Sequence, residues 1–364
     1  MRKLASCVLF SALFLVGADS FPAAGKSSAE EIMPQANGLN WLIQTSRTAA
    51  GLRGVSAVNS QVAWASGTQG TFLRTMDGGK TWVPGNVPGA EKMDFRDIQA
   101  FDQDTAFLLG IGRPAKIYKT GDGGKTWEES YSNDTEGIFL DAFAFFDKDN
   151  AIVVGDPMEG RFMVLVTSDG GQSWEEIPPA ERPEAVSGEG AFAASGTCLT
   201  VLGENDAWFC TGGPAARVFH SRDRGRTWTA ANSPLASGKA SSGGFSLVFM
   251  NEKDGVLVGG DYQDEPAALG NAAVSHDGGK TWELVENRQP SGFRECVAPV
   301  PGTKPLMLIA VGPSGSDYSL DLGKTWTAVR GPAGFHSVSF SKVGGSGWAV
   351  GRNGLIAKFV HNKR

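Results

Sequence analysis

Four basic side chains recur at one aligned position of this sequence, and their shared chemistry is the recognition of anions. The position follows the leading aromatic or leucine of a repeated strand segment. The segments are Leu52-Arg-Gly-Val55, Phe95-Arg-Asp-Ile98, Phe139-Leu-Asp-Ala142, Phe192-Ala-Ala-Ser195, Phe245-Ser-Leu-Val248, Phe293-Arg-Glu-Cys296 and Phe335-His-Ser-Val338. Arg53, Arg96, Arg294 and His336 occupy it in segments one, two, six and seven. A guanidinium presents paired donors to a carboxylate or phosphate. If the segments close into a ring, these four are neighbours and form a basic arc. Such an arc would bind a protein partner or an acidic ligand such as a glycan. The alternative is that each cation pairs with a neighbouring carboxylate and only locks the ring.

Carboxylates offer a second chemistry. The next position holds Asp97, Asp141 and Glu295, and Glu189 precedes the fourth segment. Two long polar loops, 155–161 and 259–265, carry Asp156 in one and Asp261 and Tyr262 in the other. Loops carry function more often than strands do, although loop charge is also simply solvated. Glycoside hydrolysis uses two carboxyl groups that flank the scissile bond. The six carboxylates permit that reaction without selecting a pair. Other chemistries find no footing. His220, His276, His336 and His361 show no metal-ligand spacing, and the chain has no CxxC and no phosphate loop. We expect no metal and no cofactor.

A repeat must position these residues. The pattern Ser/Thr-x-Asp-x-Gly-x-Ser/Thr-Trp occurs at 75–82, 120–127, 167–174, 221–228, 275–282 and 319–326. Its aspartates, Asp77, Asp122, Asp169, Asp223, Asp277 and Asp321, lie 44 to 54 residues apart. A period of that size marks a repeat architecture. Each copy reads as a hairpin turn capped by its own polar side chains, with the Trp opening the returning strand. One motif repeated six times is a structural device and not an active site. The seventh repeat stops after a third strand, and Asn40-Trp41-Leu42-Ile43-Gln44 copies the strand that follows each octapeptide. The sequence therefore predicts an all-β, seven-bladed β-propeller of four-stranded antiparallel blades. Blades are expected near 50–90, 91–134, 135–182, 186–234, 240–288, 290–331 and 333–361, the last completed by 39–46. In that geometry, the loops entering each first strand and those joining strands two and three share one face, where propellers usually bind. The octapeptides turn at the other.

The octapeptide is identified as the Asp-box, or bacterial neuraminidase repeat. It occurs in sialidases, sortilin-type receptors and the photosystem II stability and assembly factor, all of them β-propellers. The chain resembles the assembly-factor group over essentially its whole mature length. An export signal, seven blades, the octapeptides and openings such as Phe95-Arg96-Asp97-Ile98 carry the likeness. That resemblance implies a non-enzymatic protein that holds a partner through an arginine patch, with Arg53, Arg96 and Arg294 as contacts. Long insertions at 231–244 and 263–271 depart from it. Sialidases are more distant. Their Phe/Tyr-Arg-Ile-Pro motif is replaced here by Leu52-Arg-Gly-Val55, and Tyr262 is the only tyrosine on a suitable loop. The expected function is an exported propeller that binds a partner through a basic channel rim. The alternative is a sialidase-like glycoside hydrolase.

Net charge is −6, which argues against nonspecific nucleic-acid binding. Arg2 and Lys3 precede an apolar run from Leu4 to Val16, and Val16-Gly17-Ala18 offers small residues for cleavage. Residues 1–18 thus read as a signal peptide and 19–37 as a flexible leader before a propeller at 38–364. The expected product is a periplasmic or extracellular monomer without a membrane span. Cys7 would leave with the signal. Cys198 and Cys210 flank a turn at Gly203–Asp206 and would face each other, either as a disulfide or as buried thiols. Cys296 has no partner in sequence.

Overall fold

The computed structural model describes residues 38–361. The predicted signal peptide and leader lie outside the described residues. Seven antiparallel sheets follow one another along the chain. The first strands are Leu52–Ala57, Asp94–Ala100, Leu140–Phe145, Leu199–Leu202, Lys239–Phe249, Cys296–Val300 and Phe335–Phe340. Each touches the first strand of the next sheet, right around the ring, so these seven strands surround the central channel of a β-propeller.

Second strands such as Ala63–Gly67 and Gly255–Asp261 are buried along their whole length. They read as continuous apolar or small runs because both faces pack between neighbouring blades. Fourth strands such as Val83–Asn86 lie at the rim and are largely exposed. Six sheets have four strands, and the fifth blade gains a two-residue strand, Gly212–Gly213, from the loop of blade four.

The ring closes where the sequence places the closure. Leu39–Gln44 pairs antiparallel with Ile356–His361, from Leu39 opposite His361 to Gln44 opposite Ile356. The last blade thereby has no unpaired outer edge on its third strand. Two first strands begin later than the sequence suggests: blade four at Leu199 and not Phe192, blade six at Cys296 and not Phe293.

All six octapeptides fold alike. The first Ser/Thr hydroxyl donates to one oxygen of the Asp at 2.8–2.9 Å. The second donates to the other oxygen at 2.6–2.7 Å. Backbone amides of the same turn complete the shell, as in Thr81 N to Asp77 Oδ1 at 2.9 Å. The Thr81 hydroxyl first, and then its amide, holds the Asp77 carboxyl down at about 2. Gly79, at φ 83°, occupies the left-handed region that the turn requires. These aspartates are consumed by their own turns.

Cys198 and Cys210 do lie opposite each other, with Cys210 N donating to Cys198 O at 2.9 Å. Both are buried free thiols, as is Cys296. Burial raises all three thiols above their usual range.

Candidate functional site

The first strands carry the site, and a repeated irregularity aims it. In five blades the pairing with the second strand slips by one residue: between Leu52 and Gly54, Phe95 and Asp97, Leu140 and Ala142, Gly244 and Ser246, and Phe335 and Ser337. The extra residues are Arg53, Arg96, Asp141, Phe245 and His336. A β-bulge leaves its extra residue out of the ladder and redirects the side chain.

Blade six obeys the same rule. Glu295 N donates to Val311 O at 2.9 Å, while Val311 already sits opposite Cys296. A Cβ built on Gly312 would lie 3.1 Å from the Arg294 Cα, as one on Gly155 would from the Leu140 Cα. Glu295 is therefore the extra residue. Arg294 takes the position before the bulge, which Leu52, Phe95, Leu140 and Phe335 fill as fully buried core elsewhere.

This register corrects the basic arc. His336, Arg53 and Arg96 stay together on blades seven, one and two. Blade six contributes Glu295 in place of Arg294, whereas the bulge residue of blade three, Asp141, is fully buried and lies off the cavity lining. Arg294 is buried at 0% exposure and faces no opening. Its Nε and Nη2 both reach Asp317 Oδ2, at 2.7 and 2.5 Å. Nη1 donates to Phe293 O and Ser314 Oγ, and Nη2 also donates to Ser291 Oγ. All five of its donors are used internally.

A cavity of about 1390 Å³ opens at the channel mouth. Arg53, Arg96, Phe245, Glu295 and His336 line it from the bulges. Asp156 lines it from the extended strand Ala151–Met158, where the sequence suggested a loop, and Glu189, Tyr262, Glu265 and Arg352 line it from the connections on the same face. The last two were not singled out by the sequence, and they pair with each other at 2.6 Å. Most charges at this mouth are spoken for. Arg96 holds Asp94 at 2.6 Å and donates to Ala193 O at 2.8 Å. Glu189 takes Arg217 Nε at 2.9 Å and the Thr211 hydroxyl at 2.6 Å. Asp261 is bound by Lys239 at 2.8 Å and lies off the cavity lining.

Arg53 is different. Its Nη1 lies 3.3 Å from His336 Nδ1, but that same nitrogen contacts Glu295 Oε2 at 2.6 Å. The shorter contact to a carboxylate claims the Nδ1 proton, so Arg53 faces a donor and not an acceptor. Its Nε is buried without a partner. Burial first, and then the charge of Arg96, lowers the Arg53 pKa. Arg53 makes no direct ion pair among the described residues, and the carboxylates of Glu295 and Asp94 offset its charge only from a distance.

Two further carboxyls lie buried beside the channel. Asp97 accepts from Ile98 N at 2.7 Å and Phe143 N at 3.0 Å, and burial pushes it up to about 8. Asp141 is fully buried, and neither oxygen makes a hydrogen bond of ordinary geometry. Burial first, and then the charge of Asp156, raises its pKa well above the carboxylate range. Asp156 is itself raised to about 6 by burial. A carboxyl raised on folding contributes stability that is complete below its unfolded pKa, roughly 3.9. That contribution is lost as pH rises through the folded value. Asp141→Asn is therefore expected to gain on the order of 1–3 kcal/mol over the native chain at pH 8, and much less at pH 5. Urea midpoints at the two pH values test this, and an equal difference at both would refute it.

The fold and its turns define an Asp-box β-propeller, and the comparisons with known proteins agree. Residues 94–183 match the family model of the photosynthesis system II assembly factor YCF48, and residues 273–284 match the BNR/Asp-box repeat. A solved structure of YCF48 bound to D1 peptide is similar over 92% of this chain and 99% of that one, with 18% identity and a TM-score of 0.59. YCF48 from Cyanidioschyzon merolae is similar over 88% and 98%, with 17% identity and a TM-score of 0.57. The WD40 propeller domain of Doa1 matches over 89% and 98% at 12% identity and a TM-score of 0.60. At these identities the likeness is one of fold. A comparison with curated proteins finds no match. Among the described residues, no helix is long and apolar enough to cross a membrane.

Proposed function

We propose that this protein binds a segment of a partner protein in the cavity at its channel mouth, acting as an assembly or stability factor, and that Arg53 holds an acidic group of that segment. The observation that carries the reading is that Arg53, which lines a large cavity, makes no direct ion pair among the described residues. Arg53 is half-buried, with its Nε out of reach of water and unpartnered, and an incoming carboxylate would supply the acceptor it lacks. At about 1390 Å³ the cavity exceeds the roughly 300–1,000 Å³ of small-molecule sites, which favours a length of chain. The similar YCF48 propeller, solved with a peptide, supports the same choice. The whole chain carries a net charge of −6, so attraction of an acidic segment to Arg53 is local and not a long-range field. The basic, apolar and small residues of 1–18 support export, and we place the protein as a monomer in the periplasm or outside the cell.

The test is an array of short peptides in which each Asp or Glu is compared with Asn or Gln. Arg53→Ala is expected to weaken the acidic peptides by about tenfold or more, in line with a charged hydrogen bond, and to flatten their salt dependence. Retention of both the affinity and the salt response in Arg53→Ala would remove this function.

A further inference from the structure

The wall facing Arg53 is aromatic: Phe245 is 3% exposed and packs edge-on against Phe293 at 4.6 Å, and Phe192 and Tyr262 present the accessible ring surface in front of it. Phe245 is the bulge residue of blade five, aimed at the same opening by the irregularity that aims Arg53 and His336. Phe192 stacks on it at 3.9 Å between centroids, with the ring planes 3° apart. Tyr262 stands edge-on to both, at 6.4 Å and 84° from Phe192 and 6.3 Å and 81° from Phe245. All three line the cavity. Tyr262 is 45% exposed, and its hydroxyl has no hydrogen-bond partner among the described residues.

Phe192 is held in place and has not merely drifted there. A Cβ on Gly212 would meet the Phe192 ring at 2.3 Å, so the ring rests directly on glycine backbone. Gly212 is fixed on two sides, bridged to Gly190 and paired with Gly243 of blade five. The chain from 186 to 198 thus leaves the strand path of blade four and delivers an aromatic ring to the channel mouth.

We propose that Phe192, Phe245 and Tyr262 form a subsite for an aromatic side chain of the partner segment, a few residues from the acidic group held by Arg53. This rests on the peptide-binding reading and deepens it. Aromatic rings prefer offset or edge contacts, and Tyr262 leaves a ring face open for one. The cation lies on blade one and the aromatic wall on blades four and five, on opposite sides of the ring of seven. One short extended segment spanning the cavity satisfies both.

The same peptide array tests the subsite. Each aromatic position near an acid is replaced by Leu, and binding is measured with the native chain, Tyr262→Ala, Tyr262→Phe and Arg53→Ala. The native chain is expected to favour aromatic over Leu peptides by about threefold to tenfold. Tyr262→Ala should erase that preference, and Tyr262→Phe should keep it. Arg53→Ala should weaken all acidic peptides yet leave the aromatic preference intact. An aromatic preference that survives Tyr262→Ala overturns the subsite, even where Arg53→Ala shows the anion contact to be real. Displacement of the peptides by neutral oligosaccharides would also overturn it, assigning the wall to sugar rings.

Discussion

Arg294→Ala is expected to lower folding stability by about 3–5 kcal/mol, and to leave peptide binding by the folded fraction unchanged. The guanidinium is 0% exposed and its partner Asp317 is 1% exposed. Removing the arginine strands a carboxylate where water does not reach, and leaves Phe293 O, Ser291 Oγ and Ser314 Oγ without their donor. The penalty is that of an uncompensated buried charge, not the net worth of the pair. Replacing Arg294 and Asp317 together by Met and Leu should therefore cost far less than Arg294→Ala alone. Urea denaturation of the three variants reads this directly. A midpoint for Arg294→Ala close to the native value would show that the residue is not the strut described here. Arg53→Ala should behave oppositely, losing binding with little loss of stability, because its Nε has no partner to forfeit.

The contrast between these two arginines shows where sequence reading reaches its limit. The seven blades, the closing strand and the Asp-box turns were legible, because apolar periodicity and turn chemistry are local. The register of the first strands was not. The sequence alignment rests on a leading aromatic or leucine as the fixed point of each blade. In blades three and six that aromatic, Phe139 or Phe293, lies one residue further from the bulge than Phe95 or Phe335. A slip of one residue exchanges the two faces of a strand, and this slip puts Glu295, not Arg294, at the rim.

A usable signal was nevertheless present in the second strands. Gly67, Gly110, Gly155, Gly259 and Gly351 each pair with the residue before the bulge, and Gly312 sits against Arg294 in the same way. The backbone of the first strand approaches too closely there for a Cβ: one on Gly351 would meet Gly334 O at 1.9 Å. Alignment on these glycines would have named Glu295, Asp141 and Phe245 as the redirected residues. Nothing comparable announced Phe192. The stretch before Leu199 has no alternating pattern, and its ring position depends on contacts with Gly212, far along the chain.

The closing strand sets the other large expectation. Trp41→Ala should cost about 3–5 kcal/mol, the range for removing a buried large aromatic. Trp41 packs on Phe335 at 5.1 Å and on Phe359 at 5.2 Å, so it joins the first, third and fourth strands of blade seven. Its Nε1 is buried without a partner, and Trp41→Phe, which deletes that group and keeps a ring, should lose much less. The same strand reaches into blade one. Gln44 Oε1 accepts from Trp82 Nε1 at 2.9 Å and from Trp348 Nε1 at 3.1 Å, bridging blades one and seven. Gln44→Ala would leave two fully buried indoles short of an acceptor, at about 1–3 kcal/mol each. Because Leu39–Gln44 and Ile356–His361 are joined by pairing and not by a continuous stretch of chain, both changes act on closure itself. They should shift the single unfolding transition of the whole propeller and not melt blade seven alone. Thermal and urea melts followed by tryptophan fluorescence and by far-ultraviolet circular dichroism separate these cases. A Trp41→Ala midpoint within about 1 kcal/mol of native, or an early transition confined to one probe, would mean that the ring holds without its closing strand.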